Sequence, residues 1–538
     1  MRWWGWGEDG HAVPLPHAAE TLLREELGTD PEARRPPVPF EQVTLPDSAL
    51  PAAARERLVG AVGAEHVRDG REVRVAHAVG RSYPDLVRIR SGDASSAPDA
   101  VVLPGSAEQV AAVLAACAEQ RVAVTPFGGG TSVVGGVEPV RDGMSGCISL
   151  DLSRLATTVE VDRTSLIARL DAGLFGPEAE RRLGAEGVTL GHFPQSFEHS
   201  TLGGWVATRS AGQASTGYGR IDELVEGVRC IAPAGEVTTR ALPASAAGPS
   251  LRELLVGSEG VLGVICEATV RVRPAPAARR YEGWSFRSFA EGCAAFRVME
   301  QADAAADVSR LSDEHETRLS MAMASTGSRK ERLGRRYLRM RGHEGGCLAI
   351  LGFEGDEEDV ERRRRRTSAL LRAGGGVLLG RRPGEAWLRG RYAAPYLRDE
   401  LLDRRVMVET LETATTWANL ESLHGAVGSA LRTSLGKRGT PPLVMCHVSH
   451  LYPSGASLYF TFLARQEDDA LAQWTAAKTA ASEAIVAGGG TITHHHAVGR
   501  DHRPWMRAEV GELGIELIRA AKERLDPAGI MNPGKLLP

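Results

Sequence analysis

Lysine is nearly absent from this chain: five of its 64 basic residues are lysine and the rest are arginine. With alanine and glycine abundant, this reads as a coding bias and not as a use of arginine as a class. Cysteine is sparse too. Seven residues, widely spaced and without a CxxC pair, argue against a disulfide framework or a thiolate metal centre and fit a reducing cytoplasm. Net charge is small. The 64 basic and 68 acidic side chains leave −4, which removes any bulk attraction to nucleic acid or anionic membrane but leaves local patches open. No stretch of 18 apolar residues occurs, so no spanning helix is expected. Residues 1–16 lack the charged start and apolar core of a secretory leader. The expectation from these absences is a cytoplasmic protein.

What is present is an ordinary globular balance, 43% hydrophobic and 25% charged, with a length suited to about three or four domains, or two large ones. Residues 1–95 mix proline-broken stretches (Pro36, Pro37, Pro39) with short helical pieces at 20–27 and 51–62. From about Asp99 the texture changes. Strand-like runs at 100–103, 122–125, 147–152, 158–161, 166–172, 227–231 and 261–272 surround a helical stretch at 106–119 that opens on Ser106 as N-cap. Residues 277–500 carry strand-like runs at 281–286, 347–353, 443–450 and 457–463. Helical runs lie at 289–300, 356–371 and 468–487, which makes an α+β pattern around an antiparallel sheet. The five arginines at 362–366 read as a solvated helix face. An amphipathic helix closes the chain at 507–525. The units expected are 1–95 (helical and irregular), 96–276, 277–500, and 501–538 packing back on 96–276.

Three segments of the second unit carry chemistry. Residues 128–136 hold five glycines with Thr131 and Ser132, directly after a strand. Glycine lets backbone N–H groups approach an anion, and successive N–H groups form a nest for phosphate oxygens. No lysine follows, as a Walker loop requires, and the spacing of the dinucleotide fingerprint is broken at Val133. A plain hairpin is the alternative. Residues 194–219 are rich in small and hydroxylic side chains, as suits a backbone lying along an extended polar ligand. Residues 257–265 form a glycine turn leading into a long strand.

These pieces, in this order, resemble the FAD-binding domain of the vanillyl-alcohol oxidase / p-cresol methylhydroxylase superfamily. The ending Asn532-Pro533-Gly534-Lys535 is similar to that superfamily's. Within it the chain looks closest to the alkyldihydroxyacetonephosphate synthases. The residues carrying this are HFPQSFEHSTLGGWVATR from His192, Arg310-Leu311-Ser312-Asp313, Tyr396-Leu397-Arg398-Asp399, Glu409 with Glu412-Thr413, Tyr459-Phe460-Thr461-Phe462, and His494-His495-His496-Ala497-Val498-Gly499. The opening Trp3-Trp4-Gly5-Trp6-Gly7 matches as well. Near Gln195 the chain departs from the family, which usually has an acidic residue there.

The resemblance implies a two-domain flavoprotein, with an FAD domain at 96–276 and an α+β cap at 277–500. It implies exchange of the acyl group of acyl-dihydroxyacetone phosphate for a fatty alcohol without net redox, the flavin serving as covalent carrier. By carry-over, Tyr459 and His494, His495 and His496 transfer protons, Arg398 holds the substrate phosphate and Arg310 lies beside the flavin. FAD, bound without a covalent link, is expected on Pro126, Gly128, Gly129, Gly130, Thr131, Ser132, Gly135, Pro194, Ser200, Thr201, Gly203, Gly204, Ser210, Gly212, Thr216, Gly217, Tyr218, Glu259, Gly260 and Ile265. From the residues alone, Tyr459 could be a core tyrosine, and Arg310 and Arg398 could be salt-bridge partners of Asp313 and Asp399. The histidine tract, read as extended chain after 491–493, would point His494 and His496 one way and His495 the other. A metal there would need His447, His450 or His502, and no metal is expected. Partners are lipid substrates and not nucleic acid, with peripheral membrane contact and a homodimer left open. The alternatives are an FAD-dependent dehydrogenase of a D-2-hydroxy acid, with Arg398 on a carboxylate, and a non-catalytic FAD-binding protein.

Overall fold

A computed structural model describes every residue except 9, 11, 12, 31, 326 and 327. Three large sheets organise the chain, beside a two-stranded ladder of Val188–Thr189 with Arg273–Pro274. The first has strands Val67–Arg68, Ala100–Val102, Gly146–Asp151 and Val122–Phe127, in that order, the last three pairing in parallel. Its crossover helix, Ala107–Gln120, starts where Ser106 Oγ accepts the Gln109 amide at 3.2 Å. That helix buries Val110, Val113, Leu114 and Cys117 against the sheet. The spacing of those four residues makes the apolar stripe that drives the packing.

The second sheet is antiparallel, in the order Val159–Asp162, Ile167–Asp171, Val264–Arg271, Val225–Ala232 and Gly235–Thr238. Its long strand begins at Val264, later than the expected 261. Glu259 and Gly260 adopt left-handed φ of 51° and 76°, which bends the chain there.

The third sheet has eight strands, all antiparallel. Its order is Val377–Gly380, Ala278–Phe286, Cys347–Gly355, Val308–Ser312, Leu443–Val448, Gly455–Arg465 and Val406–Thr416, with Leu451–Tyr452 beside Gly455–Arg465. The strand Val406–Thr416 is absent from the sequence reading because two acidic residues, Glu409 and Glu412, break its apolar pattern although both are buried. The helices Arg381–Gly390, Ala394–Asp403 and Leu420–Lys437 were also not foreseen.

The arginine run is more than a solvated face. On the helix Glu357–Ala373, Arg363 reaches Asp307 at 2.9 Å and the Glu354 carbonyl at 2.5 Å, and Arg364 reaches Glu282 at 2.6 Å. Those two arginines bind the helix to the sheet, while Arg362, Arg365 and Arg366 face solvent.

Candidate active site

The glycine-rich loop leaves the strand Val122–Phe127 and lies against residues 199–201. A Cβ on Gly128 would fall 2.3 Å from Thr201 Oγ1, and one on Gly129 only 1.7 Å from the His199 carbonyl oxygen. Gly130 has a left-handed φ of 67°. The glycines are thus demanded by the seam between two protein segments, not only by approach of a ligand. Ser132 Oγ closes the loop by accepting the Gly136 amide at 2.9 Å. Thr201 caps the short helix Leu202–Thr208. Ser200 Oγ donates to the Ser196 carbonyl and accepts from Trp205 Nε1, so the hydroxyl's one proton is used within the protein.

Other expected residues line up behind this seam. Gly260 has no room for a Cβ against Pro126, nor Gly203 against Ala172, nor Gly212 against Phe193. Ser210 Oγ meets His192 Nε2 at 3.1 Å. Glu259 accepts the amides of Val498 and Gly499 at 2.8 and 2.7 Å, which ties the turn to the end of the histidine tract. Gly135 abuts Arg500 and Asp501 on the same stretch. Gly217 and Tyr218 have a joining role. A Cβ on Gly217 would strike Asp307, and the Tyr218 hydroxyl donates to Glu354 at 2.8 Å on the eight-stranded sheet.

Tyr459 lies on the strand Gly455–Arg465, opposite Glu412 on one neighbouring strand and His447 on the other. The histidine tract comes to it as an irregular loop, which corrects the extended reading. The amides of His494, His495 and His496 all converge on the Glu412 carboxylate, at 2.5, 3.0 and 2.8 Å. Successive amides of a strand point to opposite sides, so this convergence requires a turn. In consequence His495 and His496 both face the Tyr459 ring, with centroids 5.9 and 5.4 Å away. His494 turns to Tyr452, whose hydroxyl is 2.6 Å from Nε2. His450 joins the group, held by Ser215 at 2.5 Å. His450, His494 and His495 each place one potential ligand atom within 4.8 Å of the others, which is the geometry a metal ion would need to be tested against.

Burial decides the protonation states. It pushes His495 below the ordinary imidazole range, and His494 and His496 well below it; Glu412 opposes the shift in all three, the Arg220 charge adds to it at His495, and repulsion from neighbouring rings adds to it at His494 and His496. The three rings are therefore neutral near pH 7 and able to accept a proton. Glu412 is held well below its usual value although burial raises it, because attraction to any of the three imidazoles that takes up a proton, together with the amides it accepts, outweighs burial. Burial also pushes the Tyr459 phenol up, and the Thr410 hydroxyl and the Arg398 charge pull it back without prevailing. Tyr459 is thus a proton donor in the resting state. The ring stacked on it, His447, at 4.8 Å between centroids, lies 3.0 Å from both Arg310 and Glu316.

Neither arginine has the partner considered from sequence. Arg310 pairs with Glu316 at 2.5 Å, while Asp313 caps the helix Glu314–Met323. Arg398, buried on the helix Ala394–Asp403, donates to the Arg81 carbonyl at 3.0 Å and lies 3.5 Å from Glu409. Its charge is felt at Tyr459. Glu316 is not among the expected site residues, Glu412 enters only among the residues carrying the resemblance, and His447 and His450 only as metal-ligand candidates. What brings Glu412 and His447 to Tyr459 is strand register, which a single sequence does not display.

Residues 98–240 match the family described as "FAD binding domain", and residues 275–536 match "FAD linked oxidases, C-terminal domain". An alkyldihydroxyacetonephosphate synthase of Dictyostelium discoideum is 34% identical over the whole of this chain and 93% of its own length. The chain belongs to the alkyldihydroxyacetonephosphate synthase family. A solved structure of such a synthase superposes with a TM-score of 0.87 at 31% identity, covering 100% of this chain and 99% of the other. Substrate-bound p-cresol methylhydroxylase, 14% identical, shares the fold at a TM-score of 0.65, over 90% of this chain and 96% of the other.

Membership makes the chain an FAD-dependent enzyme, and its residues fit that cofactor. Thr216 Oγ1, His192 Nδ1, Gln213 Oε1 and Asn532 Oδ1 are buried with no hydrogen-bond partner in the protein. Buried polar atoms in native proteins are almost always paired, and a ligand dense in donors and acceptors is the kind of group that could supply what these four lack. Asn532 also donates from its other amide atom to the Gly136 and Glu259 carbonyls. That bond joins the glycine loop to the glycine turn.

Proposed function

We propose that this chain exchanges the acyl group of acyl-dihydroxyacetone phosphate for a fatty alcohol, forming an ether bond without net redox change. The observation that carries this reading is the meeting of three groups: a protonated phenol, neutral imidazoles and a buried arginine. When bound, FAD supplies a covalent carrier for the substrate's C1 carbon. The protein supplies the proton movements. Arg398 holds the phosphate through the guanidinium fork. A neutral imidazole of the tract takes the C1 proton, and Glu412 stabilises the imidazolium so formed. Tyr459 donates toward the departing carboxylate. The alcohol returns that proton to Tyr459 and the imidazolium returns a proton to C1, so the C1–acyl oxygen bond is replaced by a C1–alkyl oxygen bond, both side chains regain their starting states, and one fatty acid leaves for each alcohol bound. Holoenzyme given both substrates without oxygen or an electron acceptor is expected to form ether product and fatty acid in equal amounts. Absence of the ether product would refute the reading.

The Arg398 role has its own test. Losing a charge-assisted contact of ~1.5–3 kcal/mol weakens binding about tenfold or more. Arg398→Ala is expected to show that loss in substrate affinity, with flavin content kept. Arg398→Lys also weakens, because the planar fork is gone. Unchanged affinity in Arg398→Ala would place the anion elsewhere.

FAD is expected to be held without a covalent link, since residues 127–137, where some members of the superfamily attach the flavin, contain neither His nor Cys. Acid precipitation is expected to release all the yellow colour, and colour left in the pellet would contradict this.

Peripheral membrane contact fits the helix Arg329–Met340. No helix among the described residues is long and apolar enough to cross a membrane. This one nevertheless exposes Leu333 (65%), Tyr337 and Met340 (71%). Their spacing puts them on one face, and Arg332, Arg335, Arg336 and Arg339 lie on the same helix. Such a surface suits an interface of anionic lipid. The chain is expected to float with phosphatidylserine vesicles at low salt. Leu333→Asp with Met340→Asp should abolish flotation and leave flavin content intact; unchanged flotation would exclude this helix.

A further inference from the structure

The tryptophan-rich start of the chain has no part in the reaction described, yet it is joined to the site. Residues 2–7 form a closed turn, the Arg2 amide donating to the Gly7 carbonyl at 2.7 Å. Trp6 is buried, and its amide donates to Asp399 Oδ2 at 2.8 Å. Asp399 is the residue after Arg398. The turn leaves no slack around that carboxylate: a Cβ on Gly5 would sit 2.3 Å from Oδ2. Arg2 approaches Asp399 at 3.9 Å, and both Arg2 and Arg90 lie over the Trp4 ring at 4.8 and 5.2 Å.

A second grip runs through Arg81. Its guanidinium donates to the Arg2 carbonyl at 2.9 Å, and its own carbonyl accepts from Arg398 at 3.0 Å. The Arg81 amide donates to the Ser132 carbonyl at 2.6 Å, inside the glycine-rich loop. The turn therefore holds the residue beside Arg398 and also the residue that supports the Arg398 side chain. The same joint reaches the cofactor loop.

We propose that residues 2–7 are a positioning latch: through Asp399 and Arg81 they fix the Arg398 guanidinium where it meets the substrate's anionic group. The proposal rests on the reading of Arg398 as the anion-binding residue. Residues 2–7 reach Arg398 only through Asp399 and Arg81, so the latch is expected to act on affinity and not on the chemical step.

The test uses full-length, FAD-loaded protein. The probes are inorganic phosphate, followed through the flavin spectrum, and acyl-dihydroxyacetone phosphate, followed through turnover. Gly5→Ala and Asp399→Ala are each expected to raise the phosphate Kd and the substrate KM by about tenfold. In both, kcat should stay within about twofold, the pattern of a lost uniform binding interaction. Flavin content should match wild type. Asp399→Asn keeps an acceptor for the Trp6 amide and should recover most of the affinity. In the Asp399→Ala background Gly5→Ala should add nothing, because its methyl no longer meets a carboxylate. A merely structural role would instead lower thermal stability and flavin content together and leave KM alone, and that result overturns the proposal. So does an unchanged phosphate Kd in Asp399→Ala. Wild type that binds phosphate but makes no ether product would refute the synthase reading while leaving the latch to be judged on phosphate affinity. Wild type that binds no phosphate would overturn both.

Discussion

Replacing Gly129 by valine is expected to yield a soluble chain that purifies without flavin. The first atom of any side chain at this position would lie 1.7 Å from the His199 carbonyl oxygen, 2.8 Å from its carbon and 3.0 Å from the Ser200 Cα. All three are backbone atoms, so no rotamer relieves the clash. The loop must part from residues 199–201, and the two faces proposed to cradle the cofactor separate. The cores on either side do not depend on this contact. Val122, Val124, Ile148 and Leu150 pack in one cluster, Leu202, Trp205 and Val206 in another. Native secondary structure is therefore expected to survive, with flavin occupancy reduced at least about tenfold, a loss of ~1.4 kcal/mol or more in cofactor binding. Gly184→Ala is the control, because nothing lies within 4 Å of a Cβ there. The absorbance ratio of flavin to protein measures both. Full flavin in Gly129→Val would show that the seam is not the cradle.

Tyr459→Phe is expected to leave a folded, yellow protein with turnover lowered at least about a hundredfold, the lower end of what general acid–base groups contribute. Only the hydroxyl is removed, and the ring keeps its place between His447 and the two histidines. Replacing His494, His495 and His496 together by alanine should have a similar effect on turnover. The pH dependence follows from the directions of the shifts. With imidazoles pushed below their ordinary range, the basic form persists into more acidic solution. The acidic limb of kcat is therefore expected below the ~6.5 of an ordinary histidine. With the phenol raised, the alkaline limb lies above ~10. Turnover near wild type in Tyr459→Phe would remove the residue from the mechanism. A metal centre on His450, His494 and His495 would instead show as stoichiometric metal and inactivation by a chelator.

Legibility from sequence varied with the range of the interaction. The glycine-rich loop announced itself because five glycines in nine positions after a strand have few uses. The reason for those glycines was only half visible, since the clash partner of Gly129 is seventy residues further on. Tyr459, Arg398 and the histidine tract could be named through resemblance, but their arrangement could not. It depends on Glu412, which faces Tyr459 across a strand pair and gathers three amides from eighty residues away. A buried glutamate in a strand looks from sequence like a loop residue, so 406–416 does not read as a strand. The arginine run misled in the opposite sense. Arg363 and Arg364 meet carboxylates at Asp307 and Glu282, far away in sequence, so a local reading sees only a charged surface.

The central claim is that the flavin serves ether exchange and passes no electrons on. Anaerobic absorbance spectroscopy tests it most directly. Purified holoenzyme is mixed with acyl-dihydroxyacetone phosphate, and a fatty alcohol is then added with oxygen still excluded. The account predicts loss of the oxidised flavin band in the first step and its return in the second, with ether product equal to the flavin present when one equivalent of acyl-dihydroxyacetone phosphate is used. A band unmoved by acyl-dihydroxyacetone phosphate but bleached by a D-2-hydroxy acid, and restored only by an electron acceptor, would contradict it.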